Sequence, residues 1–295
     1  MTNEEPAAER REIRIGAALA AAFACVFAGF SRFARAALLP FAASVVLAVV
    51  SVPAILTVPL LDLAFTVVEL LPYAVLGVAL NRALLLHEEP RLLPRPLLDG
   101  RGWRYFGYSI LMIILVSLLA AIIAAVVVGL VYVGNPRSFA GGTLQAGNWI
   151  FAVALLAGLL LLYVAARLSL IFPAIAVGHH WGLGNAWRAA RGGQALKLFA
   201  IFGVLCILLA VIGGVASAIT GQQIHIGTGV SEAVLIEQAT AAGLGDIVLA
   251  ALPGVLVSTV LAYLGFGLLT GAYAYAFSRL SGWGAAREDI LERFE

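Results

Sequence analysis

Long apolar stretches separated by short polar segments make up most of the chain. A transmembrane helix needs about 20 largely apolar residues to cross about 30 Å of hydrocarbon. Six stretches meet that requirement, so the pattern predicts an all-α membrane protein with six transmembrane helices. Their approximate bounds are residues 36–60, 62–86, 105–133, 149–174, 195–220 and 246–279.

Two shorter segments are expected to form interfacial elbow helices, at about residues 12–34 and 182–193. In the first, Leu19, Phe23 and Phe27 repeat at four-residue steps, which places apolar groups along one stripe of a helix. The two segments also share an Ala-rich pattern, and each precedes a span. Duplication of an elbow-plus-span unit is one interpretation of this similarity, and chance agreement between Ala-rich helices is the other.

Composition narrows the class of protein further. Hydrophobic residues make up 62% of the 295 residues and charged residues 12%, with a mean hydropathy of +1.03. A soluble domain has about 45–50% apolar and about 25% charged residues, so a soluble or disordered chain is excluded. Cys25 and Cys206 lie in apolar stretches and are expected to be small core residues rather than a disulfide framework. We therefore expect one integral membrane domain over residues 1–295.

The basic residues predict the orientation of this domain. When six spans are threaded through a membrane, nearly all basic residues fall on one side, and the loops on the other side contain only Arg137. The positive-inside rule then predicts a multi-pass protein of the bacterial inner membrane with both termini in the cytoplasm. The residues on the cytoplasmic side are Arg10, Arg11, Arg14, Arg32, Arg35, Arg82, Arg91, Arg95, Arg101, Arg104, Arg188, Arg191, Lys197, Arg279, Arg287 and Arg293.

Two ionisable residues are predicted to lie within the membrane, where a charge is costly and therefore a candidate for function. Glu69 and Arg167 are each roughly 10 Å deep, but from opposite faces, so we do not expect them to pair. Glu69 is either a site for a proton or cation or a structural hydrogen-bond partner. Arg167 is expected to extend to the cytoplasmic headgroups or to bind carbonyl groups freed near Pro173.

Five cytoplasmic arginines near the predicted elbows are candidate contacts for lipid headgroups. A guanidinium matches the geometry of a phosphate and favours anionic lipids. Positive-inside topology alone explains the same residues equally well. The five are Arg32, Arg35, Arg82, Arg188 and Arg191.

The sequence shows no pattern typical of catalysis. It contains no nucleophile elbow, Walker loop or HExxH motif. His179 and His180 are adjacent, which makes them a poor pair of metal ligands, and interfacial polar side chains are the better interpretation. We therefore predict no catalytic residue, no cofactor, no metal and no nucleic-acid partner; the expected partners are membrane lipids and other membrane protein subunits.

Small residues and prolines indicate how the spans pack. Gly267 and Gly271 form a GxxxG motif, for which packing within the chain is favoured over a dimer interface. A second group of small residues, around Gly213 and Gly214, is expected to permit close contact of the fifth span with a neighbour. Five prolines are expected to kink or end spans. They are Pro53, Pro59, Pro72, Pro173 and Pro253.

The segment from Arg167 to Gly193 reads RLSLIFPAIAVGHHWGLGNAWRAARGG. It resembles an element of bacterial six-span proteins similar to the membrane domain attached to some glycerophosphodiester phosphodiesterases, and of related integral membrane families. Gly178-His179 replaces an acidic residue often found there, and the soluble phosphodiesterase barrel of about 250 residues is absent from this sequence. The resemblance therefore implies a shared membrane scaffold without the enzyme. The matching residues are Arg167, Leu168, Pro173, Ala174, Gly184, Ala186, Trp187, Arg191 and Gly192.

These features lead to two hypotheses about function. The first is a non-enzymatic inner-membrane protein that associates with lipids or serves as an accessory or scaffold subunit of a membrane complex. The alternative is a small transporter or channel for lipid-like or amphipathic solutes, which the prolines within spans and Glu69 favour.

Overall fold

The structure is a computed structural model of the chain and describes residues 12–57, 61–90, 100–134, 148–179, 181–220, 244–281 and 283. The secondary structure of these residues is helical, without strands, and six helical segments are long and apolar enough to cross a membrane. The predicted fold class, an all-α membrane protein with six transmembrane helices, is confirmed. The helices in chain order are α1 (Ile15–Phe23), α2 (Phe30–Thr57), α3 (Leu61–Leu85), α4 (Arg101–Gly134), α5 (Asn148–Leu168), α6 (Ile171–Ala176), α7 (Leu183–Ala189), α8 (Gly193–Thr220) and α9 (Leu244–Ser281).

The first predicted elbow ends earlier than expected. α1 continues into a π-helical turn, Ala24–Ala28, and Gly29 separates this turn from α2. Glycine interrupts a helix readily because it lacks a side chain and gains little from helical order. α2 then runs without a break to Thr57, so Arg32 and Arg35 belong to the first turns of a span rather than to an elbow. The second predicted elbow corresponds to α7.

The fourth span is divided, because α5 ends at Leu168 and the short helix α6 begins at Ile171. Pro173 has no N–H to donate to the carbonyl of residue 169, and its ring crowds that carbonyl, which explains the break. Pro72 and Pro253 lie inside α3 and α9 without ending them. Pro53 likewise lies inside α2, and Pro59 lies outside the described residues.

The six spanning segments pack in a ring. In this ring α2, α3, α4, α5, α8 and α9 each contact the next, and α9 contacts α2 to close it. α9 also packs across the ring against α3 and is covered on one side by α1. α6 lies between α3, α4 and α9.

Contacts among helix ends define one end of the bundle. The backbone N–H of Ile13 donates to Oε1 of Gln194 at 3.1 Å, and Lys197 pairs with Glu12 at 2.9 Å. The Arg101 guanidinium lies against Gly178, which has a φ of +75° that suits glycine. We call this end the arginine-rich end. It brings together segments that the charge pattern assigns to one side of the membrane, while the side it faces stays a prediction.

Close packing is concentrated in the half of the bundle nearest the arginine-rich end. A Cβ atom on Gly271 would lie 2.9 Å from the Ala21 carbonyl oxygen and 2.9 Å from the Cys25 Cβ atom. A Cβ atom on Gly267 would lie 2.6 Å from the ring of Phe33. The GxxxG motif therefore packs α9 against α1 and the start of α2, as favoured from the sequence. Cys25 is buried and Cys206 half-buried, and both are free thiols.

The second group of small residues is tested only in part. Gly213 is buried, whereas no heavy atom of a neighbouring segment lies within 4 Å of a Cβ atom built on Gly214. The expectation of close helix contact around these two glycines stays a prediction.

Candidate functional site

Arg167 is held in an aromatic clamp at the arginine-rich end. It lies in the last turn of α5, where the negative end of the helix dipole favours a cation. The centre of its guanidinium is 3.6 Å from the ring centroid of Trp187 in α7 and 5.5 Å from that of Tyr163, one turn earlier in α5. Nη1 donates to the Tyr163 hydroxyl at 3.2 Å, and Nη2 donates to the Trp187 carbonyl at 2.5 Å.

Arg167 is buried, and none of the described carboxylates forms an ion pair with its guanidinium. The residue is 8% exposed, and the described part of the chain provides no ion pair for it. Its Nε is buried and has no hydrogen-bond partner among the described residues. A buried cation without a counterion is costly, so the clamp is the most unusual electrostatic feature of the described structure.

The structure bears on one of the two roles predicted for Arg167, the binding of carbonyl groups near Pro173. The guanidinium is stacked on Trp187, and its contact with lipid headgroups stays a prediction. The carbonyl that it binds belongs to Trp187 in α7 and not to the segment near Pro173. The break between α5 and α6 turns the chain so that α7 packs against α5, and this brings Trp187 over Arg167.

A stripe of exposed apolar residues leads away from the clamp along α5. Leu155, Leu159, Tyr163 and Arg167 follow one another at four-residue spacing, so they share one face of the helix. Leu155 and Leu159 are exposed, whereas Tyr163 is half-buried. This face of α5 is therefore apolar over three turns and ends in a cation.

The same region of the bundle is loosely packed. No described side chain from Ile113 to Gly129 in α4 is buried, and none from Val153 to Ala165 in α5. A helix in a packed bundle would bury a side chain at every third or fourth position. The stretch in α4 extends for about 25 Å. Half-buried side chains recur along one face of α4, so this face is partly covered while the remaining faces are exposed; they are Leu115, Val116, Leu119, Ala120, Ile123 and Val127.

Glu69 lies at a different place, in the half of α3 far from the arginine-rich end. It is half-buried and near Tyr73, one turn later. The Tyr73 ring packs against Tyr263 at 5.0 Å, and the Tyr263 hydroxyl hydrogen-bonds to Ser44 at 2.8 Å. This cluster joins α2, α3 and α9 through side-chain contacts. Both roles considered for Glu69 stay predictions.

The five arginines predicted to contact headgroups have different surroundings. Arg32, Arg35 and Arg191 are exposed. Arg82 binds Glu88 with two hydrogen bonds, at 2.7 and 2.9 Å. Arg188 is exposed but bonded within its own helix, to the Gly184 carbonyl and to Asn185 Oδ1. Three of the five, Arg32, Arg35 and Arg191, are therefore exposed and have no side-chain hydrogen bond to another described residue.

Two further buried polar groups were missed by the sequence reasoning. Asn81 is 1% exposed; its Nδ2 donates to the Gly77 carbonyl, and its Oδ1 has no partner among the described residues. The Tyr273 hydroxyl is also buried and lies near Ser169 without a hydrogen bond to it. The signal that could have identified Asn81 is its position in an apolar run, where an amide needs a partner.

The histidines give no metal site in the described part of the chain. His179 packs among Trp181, Phe277 and Trp283, with ring centroids 5.5 to 6.1 Å away. Among the described residues, no group of three His, Cys, Asp or Glu side chains could hold a metal ion. His180 lies outside the described residues. Through these aromatic contacts, the end of α9 packs against the segment that follows α6.

Comparison of the chain with protein-family models, with curated proteins and with solved structures finds no match. The geometry described above is therefore the basis for the function proposed below.

Proposed function

We propose that this protein is a non-enzymatic protein of the bacterial inner membrane that binds membrane lipid in the open half of its bundle, as an accessory or scaffold subunit of a membrane complex. The observation that carries this proposal is the absence of buried side chains over three or more turns of α4 and α5. We also propose that the arginine-rich end faces the cytoplasm. The shared scaffold implied by the segment from Arg167 to Gly193 belongs to this proposal as well.

Acyl chains are the occupant that the surroundings of α4 and α5 favour. The exposed side chains there are aliphatic, for example Leu118 and Ile122 in α4 and Leu156 and Leu160 in α5. If the space beside these side chains were empty, they would lose dispersion contacts. If water filled it, the water would find no hydrogen-bond partners there. Lipid tails are as apolar as leucine and can fill the space without cost in hydration.

A transporter for lipid-like solutes is the second candidate. The observation that favours it is the contrast between the two ends of the bundle. α6 closes the arginine-rich end, with Leu170, Ile171, Ala174 and Ala176 fully buried, whereas α4 and α5 are open toward the other end. A bundle closed at one end and open at the other has the form of one state of alternating access. Transport would require α6 to move.

Site-directed spin labelling tests the proposal. Single cysteines are introduced in turn at residues 113–125 of α4, in a protein with Cys25→Ala and Cys206→Ala, and labelled with a nitroxide. Accessibility to oxygen, which partitions into lipid, is compared with accessibility to a water-soluble nickel complex. Residues 74–78 of α3 provide the matched control, because every one of them is buried.

Lipid binding predicts high oxygen accessibility on the exposed face of α4, measurable oxygen accessibility also at the half-buried positions, and low accessibility to nickel. The α3 control should be inaccessible to both reagents. If the half-buried positions of α4 are as inaccessible to oxygen as the α3 control, the inner face of α4 is packed against protein and the proposal is wrong. High nickel accessibility on one face would reveal a water-filled path and favour the transporter.

A further inference from the structure

We infer that Arg167 binds the phosphate group of a phospholipid whose acyl chains lie along the apolar face of α5. This inference rests on the proposed function, since it names the lipid class and the residue that selects it. Four observations support it: a buried cation without an anionic partner among the described residues, N–H donors without a described partner, the apolar stripe and the surrounding charge.

The Arg167 guanidinium requires an anion. Its partners in the described structure are two aromatic rings, one hydroxyl and one carbonyl, all of them neutral. Cation–π contacts and single hydrogen bonds offset only part of the cost of removing a cation from water. An anionic group at Nε would complete the site.

The free donors of Arg167 fit a phosphate. A guanidinium has five N–H groups, and the described contacts use two of them. Trp187 stacks on the face of the guanidinium, and the remaining N–H groups, including that of the buried Nε, have no partner among the described residues. Two adjacent N–H groups on such an edge match two oxygens of a phosphate, an arrangement that lysine cannot reproduce.

The apolar stripe indicates that the phosphate belongs to a lipid rather than to a soluble anion. Leu155 lies twelve residues before Arg167, which corresponds to about 18 Å along the helix. Half of the hydrocarbon core of a bilayer is about 15 Å thick. A phosphate bound at Arg167 therefore places an acyl chain beside Tyr163, Leu159 and Leu155, with its end near the middle of the membrane.

The surrounding charge favours an anionic lipid. Arg188 and Arg191 follow Trp187 closely in the chain and are exposed at the same end of the bundle. Each basic side chain near a membrane surface attracts anionic headgroups by about 1 kcal/mol. These residues would attract the headgroup, and Arg167 would bind the phosphate beneath it.

Native mass spectrometry of the full-length protein tests the inference. The delipidated protein in mild detergent is titrated with dioleoyl phosphatidylglycerol, with dioleoylglycerol, which has the same chains without the phosphate, and with inorganic phosphate. The variants are Arg167→Gln, Arg167→Lys and the matched control Arg104→Gln, which removes an exposed arginine at the same end of the bundle. Circular dichroism checks that each variant is folded.

We expect one tightly bound phosphatidylglycerol per wild-type chain. Arg167→Gln should bind it about ten- to a hundredfold more weakly, as expected for the loss of charge-assisted hydrogen bonds. Arg167→Lys should be intermediate, Arg104→Gln close to wild type, and dioleoylglycerol at least about tenfold weaker than phosphatidylglycerol. Inorganic phosphate should not displace the lipid.

Three results would overturn the inference: equal binding by Arg167→Gln and wild type, equal binding of dioleoylglycerol, or displacement of the lipid by inorganic phosphate. If Arg167→Gln does not fold, the affinity of Arg167→Lys for phosphatidylglycerol tests the inference instead, because lysine retains the charge and lacks the paired N–H donors. Equal binding by Arg167→Lys and wild type would then overturn the inference. Failure of the wild type to bind any lipid would instead contradict the proposed function itself, so the two failures are distinguishable.

Discussion

The contact between α9 and α1 gives the sharpest prediction about stability. In Gly271→Ala, the new Cβ atom would lie 2.9 Å from the Ala21 carbonyl oxygen, 2.9 Å from the Cys25 Cβ atom and 3.0 Å from the Ala22 Cα atom. Ordinary contacts begin at 3.4 Å, so these atoms must move apart by 3.4 − 2.9 = 0.5 Å or 3.4 − 3.0 = 0.4 Å. Two of the three belong to the backbone of α1, so the helix itself must shift.

The size of the effect follows from two opposing terms. Overpacking a well-packed site costs about 1–3 kcal/mol. Replacing glycine by alanine within a helix contributes about 0.5–1 kcal/mol in the other direction. We therefore expect Gly271→Ala to be less stable than wild type by up to about 2.5 kcal/mol, which corresponds to an unfolding temperature up to about 10 °C lower.

Gly214→Ala is the matched control, since no neighbouring atom lies within 4 Å of the added methyl group. Its unfolding temperature should equal that of wild type or exceed it slightly. Thermal unfolding of both variants in the same detergent, followed by circular dichroism at one scan rate, measures the difference. If Gly271→Ala unfolds at the same temperature as Gly214→Ala, the close approach of α1 and α9 is refuted.

Three further predictions concern polar groups. Tyr263→Phe removes the hydroxyl that bonds to Ser44 and should cost about 1 kcal/mol in thermal unfolding; no loss would mean that the bond contributes nothing. Asn81→Leu removes a buried carbonyl oxygen that has no described partner and should leave stability unchanged or raised, whereas a loss above about 1 kcal/mol would reveal a partner for that oxygen. Lys197 lowers the pKa of Glu12 from its ordinary 4.5, so the stabilisation from this ion pair is present above 4.5 and is lost as the pH falls through the lowered pKa; Lys197→Gln should remove that dependence in melts from pH 6 to pH 3.

Features that depend on the local sequence were predicted well. The length of an apolar run decides whether a helix can cross a membrane, and the six predicted spans match the six helical segments that the structure provides. The main deviations occur where one residue interrupts the helix, at Gly29 and before Pro173. The packing of Gly267 and Gly271 was also predicted, because two small residues four positions apart permit close helix contact.

The sequence identified Arg167 as a candidate residue but did not predict which side chains surround it. Arg167 was identified because a charge in an apolar run is costly. Its contact with Trp187, twenty residues later, depends on the break between α5 and α6 and on the packing of α7 against α5. Asn81 was overlooked because the sequence does not reveal which side chains of a uniformly apolar helix face the interior.

The sequence by itself determined the class of the protein and the number of its spans, because transfer from water to lipid depends on the composition of each segment alone. Only the tertiary structure decided which spans form the core. α4 is the most apolar span, yet only 6% of its 18-residue apolar window is buried, while in α9, the least apolar, 50% of the corresponding window is buried. Lipid is as apolar as a protein core, so apolarity does not drive a helix inward within a membrane. Small residues and polar groups that need hydrogen-bond partners decide its position instead. Arg167 is such a polar group, and it has no anionic partner among the described residues.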